Sequence, residues 1–144
     1  MKTRKKTVRR MAEATGPLER GAVVGDVERI RQGFSWGLAH RYQTDMAFKD
    51  PEFASFLGVS SRTLGRHRKG SRPLDAVASD RLYRIMRVVA LSGKVFEDAE
   101  LGLRWLRKPQ PGLGGRVPVE LLDTEPGFEA VEALLQRIEY GAIA

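Results

Sequence analysis

Arg62, Arg66, Arg68 and Lys69 stand within eight consecutive residues, SRTLGRHRKG being the densest run of cations in the interior of the chain. An arginine fork can bridge the O6 and N7 acceptors of guanine, which discriminates against a wrong base by about 1–3 kcal/mol. Cations that meet phosphates instead position a protein without reading sequence. Such chemistry requires a helix with one face anchored and the other bare. With Leu64 turned inward, a helical step of about 100° puts Arg62, Arg66 and Lys69 on the opposite face. Ser60 is a natural N-cap, leaving backbone N–H groups free for a phosphate oxygen. The candidate DNA-contact set is therefore Ser60, Ser61, Arg62, Thr63, Arg66, Arg68 and Lys69, with Arg62 or Arg66 reading bases and Arg68, Lys69 and Arg72 meeting phosphates. Gly65, in the middle of that face, costs about 1 kcal/mol of helix stability relative to alanine. A helix pressed into a groove benefits from the missing side chain. His67 is expected as a half-buried helix neighbour, not a ligand.

The elements needed to hold such a helix are present just upstream. In a helix-turn-helix, two helices meet at a sharp angle through a short turn. That geometry needs a small residue at the crossing, a turn glycine, an apolar residue after it and an anchor under the second helix. Ala54, Gly58, Val59 and Leu64 supply them in that order. Asp50 followed by Pro51 reads as a cap and first-turn proline opening the first of these helices, whose Phe53, Ala54, Phe56 and Leu57 face inward. Before it, Val27 to Met46 reads as helix broken at Gly33 and Gly37, with Trp36, Leu38, Ala39 and Tyr42 forming a stripe.

Downstream, Asp75 caps a helix on which Ala78, Leu82, Ile85 and Val89 make one buried stripe and which Ser92 and Gly93 end. A further helix runs from about Glu97 to Arg107. After the break PQPGLGG, Thr124 caps a last helix with Pro126 in its first turn, its inward side formed by Phe128, Val131, Leu134, Leu135 and Ile138, stopping at Gly141. Ala133, Gln136, Arg137 and Tyr140 lie on its other side. No strand alternation survives, and the expected class is all-α.

Charge divides the 144 residues unevenly. Residues 1–74 hold sixteen Lys/Arg against seven Asp/Glu, residues 75–116 eight against five, and residues 117–144 one against six. The basic part attracts phosphate backbones while the acidic end avoids them, so two different partners are expected. No apolar run approaches the roughly 18–20 residues that cross a bilayer. With no cysteine, disulfides and thiolate metal sites are excluded, and a reducing cytoplasm is the expected compartment. Two histidines, no paired carboxylates and a GLGG lacking the strand and Lys-Ser/Thr of a P-loop leave little for catalysis. No enzyme activity, cofactor or metal is expected.

The C-terminal part resembles the Xre/MbcA/ParS-type antitoxins, partners of toxins of the RES-domain family. The residues that carry the likeness are RTL (Arg62 to Leu64), SDRLYRIMRVV (Ser79 to Val89), VFEDAELGLRWL (Val95 to Leu106), GGRVP (Gly114 to Pro118), LLDTEPG (Leu121 to Gly127) and RIEYG (Arg137 to Gly141). It spans about Gly58 to Ala144, weakens over Val27 to Leu57 and is absent from the first twenty residues. The departure is His67, where a basic residue is more usual, which leaves base preference open.

The opening MKTRKKTVRR, six of its ten residues basic and few apolar, reads by itself as a disordered basic arm over 1–20. The resemblance implies a two-part antitoxin: a helix-turn-helix DNA-binding domain over 21–74 that binds its own operator, and a helical toxin-binding domain over 75–144. It implies that the C-terminal end blocks the NAD pocket of a RES-type toxin, with Arg137, Tyr140, Gly141, Ala142, Ile143 and Ala144 as the contacts, and that the chain self-associates. Repression by one recognition helix needs a dimer, whose half-sites lie about one helical turn apart. The alternative reading is a stand-alone transcription regulator whose C-terminal domain only dimerises.

Overall fold

A computed structural model describes residues 23–141, with side chains from 25 onward. The basic arm expected over 1–20 lies outside the described residues, as do Ala142, Ile143 and Ala144. The fold is all-α. Seven α-helices form among the described residues: α1 (Val23–Gln32), α2 (Trp36–Asp45), α3 (Asp50–Leu57), α4 (Ser61–Lys69), α5 (Ala76–Val95), α6 (Ala99–Leu106) and α7 (Glu125–Glu139). Two 3₁₀ turns, Pro111–Leu113 and Pro118–Leu121, join α6 to α7, with one isolated antiparallel bridge between Gln110 and Arg116.

The chain forms two compact units, one ending at Tyr83 and the next beginning at Arg84. The division falls within α5 because the first turns of that helix belong to the first core: Ala78 and Leu82 are buried, and the Ser79 hydroxyl accepts the Phe34 N–H at 3.0 Å.

In the first unit, Gly33 ends α1 as expected. Its φ of +88° and the Leu74 carbonyl, which a Cβ would meet at 2.1 Å, both require glycine. Gly37, by contrast, does not break the helix. Ser35 caps α2 by accepting the Leu38 N–H at 3.1 Å, and Gly37 sits within the capped first turn. Ala39 and Tyr42 of the expected stripe are buried, while Trp36 and Leu38 are half-buried. Phe48 stacks on Phe53 and Phe56 with ring centroids 5.7 and 5.9 Å apart, and Leu57, Leu64 and Leu74 complete the core.

In the second unit α5 runs past its expected end at Ser92 and Gly93. Ser92 is buried and donates its hydroxyl to the Val89 carbonyl at 3.0 Å, which satisfies the side chain inside the helix instead of freeing it to cap an end. Helix α6 starts at Ala99 rather than near Glu97, because Glu97 has a φ of +52° and Asp98 is the cap, accepting from the N–H groups of Glu100 and Leu101. Gly102 lies directly on α5: a Cβ there would stand 2.8 Å from the Gly93 nitrogen. Helix α7 opens as its sequence predicts, with Thr124 accepting the Gly127 N–H at 3.2 Å and Phe128, Val131 and Leu135 buried; Leu134 and Ile138 are half-buried.

Candidate functional site

Helices α3 and α4 and the three residues between them carry the basic run. Gly58 takes the left-handed conformation at φ +71°. Its N–H reaches the Ser55 carbonyl at 3.1 Å, and the Val59 N–H reaches Ala54 at 3.0 Å. This pair of bonds is a Schellman ending, which satisfies the last carbonyls of α3 and turns the chain. Arg81, from α5, donates to the Phe56 carbonyl at 3.3 Å. Ser60 then caps α4 as the sequence predicts, accepting the Thr63 N–H at 3.1 Å, and its hydroxyl also bonds that of Thr63 at 3.0 Å.

Leu64 is 1% exposed, so the rotation of α4 about its axis is fixed. Ser61, Arg62, Arg66, Arg68 and Lys69 are exposed, and Thr63, Gly65 and His67 are half-buried. Arg62, Arg66 and Lys69 share the outer face and form no ion pair among the described residues. A Cβ on Gly65 would meet nothing within 4 Å, so no neighbour within the unit demands glycine there.

Asp50 departs from its expected role. The helix cap is Lys49, and Asp50 is the first helical residue. The side chain that returns to the Lys49 N–H is Glu52, at 3.3 Å. The Asp50 carboxylate instead faces α4, where both of its oxygens accept from the Arg68 guanidinium, Nη1 to Oδ2 at 2.6 Å and Nη2 to Oδ1. Gln43 Nε2 adds a bond to Oδ1 at 2.7 Å. The Arg68 guanidinium, and after it the Gln43 amide, hold the Asp50 carboxyl down to a pKa of about 2. Arg68 also lies over the Trp36 ring, 5.6 Å from its centroid. Nothing in composition or periodicity pairs residues 50 and 68; the one available signal is an acid in the first turn of one helix and a cation in the last turn of its neighbour.

The C-terminal helix presents a different surface. Tyr140 follows α7 and is 76% exposed, the most exposed large apolar side chain among the described residues. Arg137 is exposed, and Gly141 has a φ of +77°. The acidity of this segment is partly committed internally. Glu132 accepts Arg87 Nη2 at 2.6 Å, with Arg87 over the Phe128 ring, and Glu139 meets Lys94 Nζ at 2.9 Å. Glu120, Asp123, Glu125 and Glu129 stay exposed, before α7 and in its first turns, and so lie toward the opposite end of that helix from Tyr140. Among the described residues there is no group of three His, Asp or Glu side chains placed to hold a metal ion. No helix among them is long and apolar enough to cross a membrane.

A Schellman-turned helix pair with a serine-capped, arginine-faced second helix defines a helix-turn-helix protein, here continued by a helical C-terminal unit. Comparison with known proteins agrees with both parts. The antitoxin Xre-like helix-turn-helix domain matches residues 26–87, and the antitoxin Xre/MbcA/ParS C-terminal toxin-binding domain matches residues 93–141. An antitoxin Xre of Yersinia enterocolitica is 31% identical over 129 residues, covering 89% of this chain and 86% of that protein. An antitoxin Xre of Pseudomonas putida is 36% identical over 83 residues, 58% of this chain and 52% of that protein. A Prs ADP-ribosylating antitoxin of Sphingobium sp. is 27% identical over 136 residues, 88% of this chain and 86% of that protein. The chain belongs to the Xre family of antitoxins, with a helix-turn-helix domain followed by a toxin-binding domain.

Proposed function

We propose that the chain neutralises a RES-type, NAD-consuming toxin by covering its NAD pocket with the segment from Arg137 through Tyr140 and Gly141 to Ala144, and that it represses its own operon through α4. Ser60, Ser61, Arg62, Thr63, Arg66, Arg68 and Lys69 form the operator-facing set, with Arg62 and Arg66 reading bases. The chain acts as a dimer or larger assembly, in the cytoplasm and without catalytic activity of its own. The working division is an operator-binding region up to residue 74, preceded by the basic arm of 1–20, and a toxin-binding region from 75 to 144.

The observation that carries the reading is that recognition chemistry is left unspent at two places: Arg62, Arg66 and Lys69, without ion pairs among the described residues, in one unit, and Tyr140 at 76% exposure in the other. The name of the Sphingobium relative supports the toxin class, since the ADP-ribose donor in ADP-ribosylation is NAD. Charge supports it less than the sequence implies, because Glu132 and Glu139 are paired within the unit. A bare tyrosine at the end of a helix favours an apolar plug with a polar tip over an electrostatic one.

The test separates the two activities. The double variant Arg62→Ala/Arg66→Ala should lose operator binding in a gel-shift titration while still protecting NAD from the toxin. Removal of residues 140–144 should do the reverse. A truncated chain that still inhibits the toxin fully would remove this segment from the inhibitory contact, whereas a full-length chain that binds the operator but protects no NAD would leave the stand-alone regulator with a C-terminal dimerisation domain as the better reading.

A further inference from the structure

We propose that Arg68 serves operator recognition as a positioning residue, not as a phosphate contact: clamped to Asp50, it fixes the angle at which α4 leaves α3. The inference rests on the operator-binding reading and changes the role of one residue in it.

Both terminal nitrogens of Arg68 are occupied by Asp50, and one face of its guanidinium is covered by Trp36. The fork with which an arginine grips an oxyanion end-on is thus already filled by a carboxylate that a glutamine amide also holds, and a phosphate would have to compete for it or settle for the remaining N–H groups at the side. The placement is favourable at both ends, because Asp50 lies in the first turn of α3 and Arg68 in the last turn of α4, where the helix dipoles favour an anion and a cation respectively. The Gly58 turn joins one end of each helix, and the clamp joins the other ends. With Leu64 buried between, the orientation of α4 is determined along its whole length. The pair is nearly half exposed, at 37% for Arg68 and 48% for Asp50, so it adds little to overall stability. What it supplies is orientation, and a helix held in its binding pose loses less freedom when it binds.

Operator affinity is measured across a salt series for Asp50→Asn, Arg68→Lys, Arg68→Gln and the double variant Asp50→Asn/Arg68→Gln, each checked for folding by circular dichroism. A clamp predicts that every single variant loses about three- to tenfold in affinity. It also predicts that the double variant loses no more than the weaker single, and that the salt slope is unchanged. A phosphate contact predicts the opposite signs. Asp50→Asn would bind more tightly, having shed a negative charge and released Arg68; Arg68→Lys would bind as the wild type does. Arg68→Gln would then flatten the slope of log K against log salt by about 0.9. Either of those results overturns the proposal. Amide hydrogen exchange at Arg66 to Lys69 gives a readout that needs no DNA: it should quicken in Asp50→Asn and Arg68→Gln. Unchanged exchange overturns the clamp even in a chain that binds no operator, a result that would count separately against the operator reading.

Discussion

Arg81 lies across the turn of the helix-turn-helix, its Nη1 donating to the Phe56 carbonyl at 3.3 Å and occupying the space where a side chain on Gly58 would stand. The last turn of α3 is thus closed twice, by the Schellman bonds of Gly58 and Val59 and by a guanidinium from α5. Substituting Gly58→Ala sets a Cβ 2.7 Å from that nitrogen and places an L-residue at φ +71°. The left-handed conformation alone costs roughly 1–2 kcal/mol. A urea unfolding midpoint should fall accordingly, with the slope of the transition unchanged.

Gly65 should behave in the opposite way. Its Cβ position is open, so Gly65→Ala is expected to stabilise the chain by about 1 kcal/mol through helix propensity. If α4 lies in a major groove with this residue against the wall, the same substitution should weaken operator binding. Thermal melting and fluorescence anisotropy on one protein sample read both effects. Unchanged affinity in the stabilised variant would remove Gly65 from the interface.

The Asp50 carboxyl gives a pH prediction with a definite sign. Its folded pKa is held at about 2, below the ordinary 3.8, first by Arg68 and then by Gln43. The unfolded chain therefore takes up the proton first as pH falls. The contribution of Asp50 to stability is complete above the ordinary carboxylate pKa and fades between about 4 and 2. The difference in melting temperature between wild type and Asp50→Asn should be constant near neutral pH and shrink over that acid window.

Gly127 tests the seat of α7. A Cβ there would come within 1.9 Å of the Leu121 carbonyl oxygen, which is backbone and cannot rotate away. Gly127→Ala should cost about 1–3 kcal/mol, as overpacking in a closed site does. If the segment after α7 covers the toxin's NAD pocket as proposed, protection of NAD from the toxin should weaken as well.

Much of this arrangement is legible in the residues themselves. Gly58, Ser60 and Leu64 announce a turn, a cap and an anchor, and Thr124 with Pro126 announces α7, because each signal is local: the side chain acts within a few residues of its own backbone. Where the sequence reading departs from the structure, the deciding partner is distant. Asp50 resembles a cap until Arg68, eighteen residues on, takes its carboxylate. Gly37 reads as a break, yet the Ser35 cap carries the helix through it. The acidic C-terminal segment reads as one surface, but Arg87 and Lys94 of α5 draw two of its glutamates inward. A count of charges along the chain cannot distinguish a carboxylate facing solvent from one paired with another helix.

The two tryptophans of the chain fall one to each compact unit, Trp36 beside His40 and Phe53 in the first and Trp105 beside Phe96 in the second. Replacing either with phenylalanine leaves a single indole emitter, so the melting of the DNA-binding half and of the toxin-binding half can be watched one at a time by intrinsic fluorescence, without any attached dye.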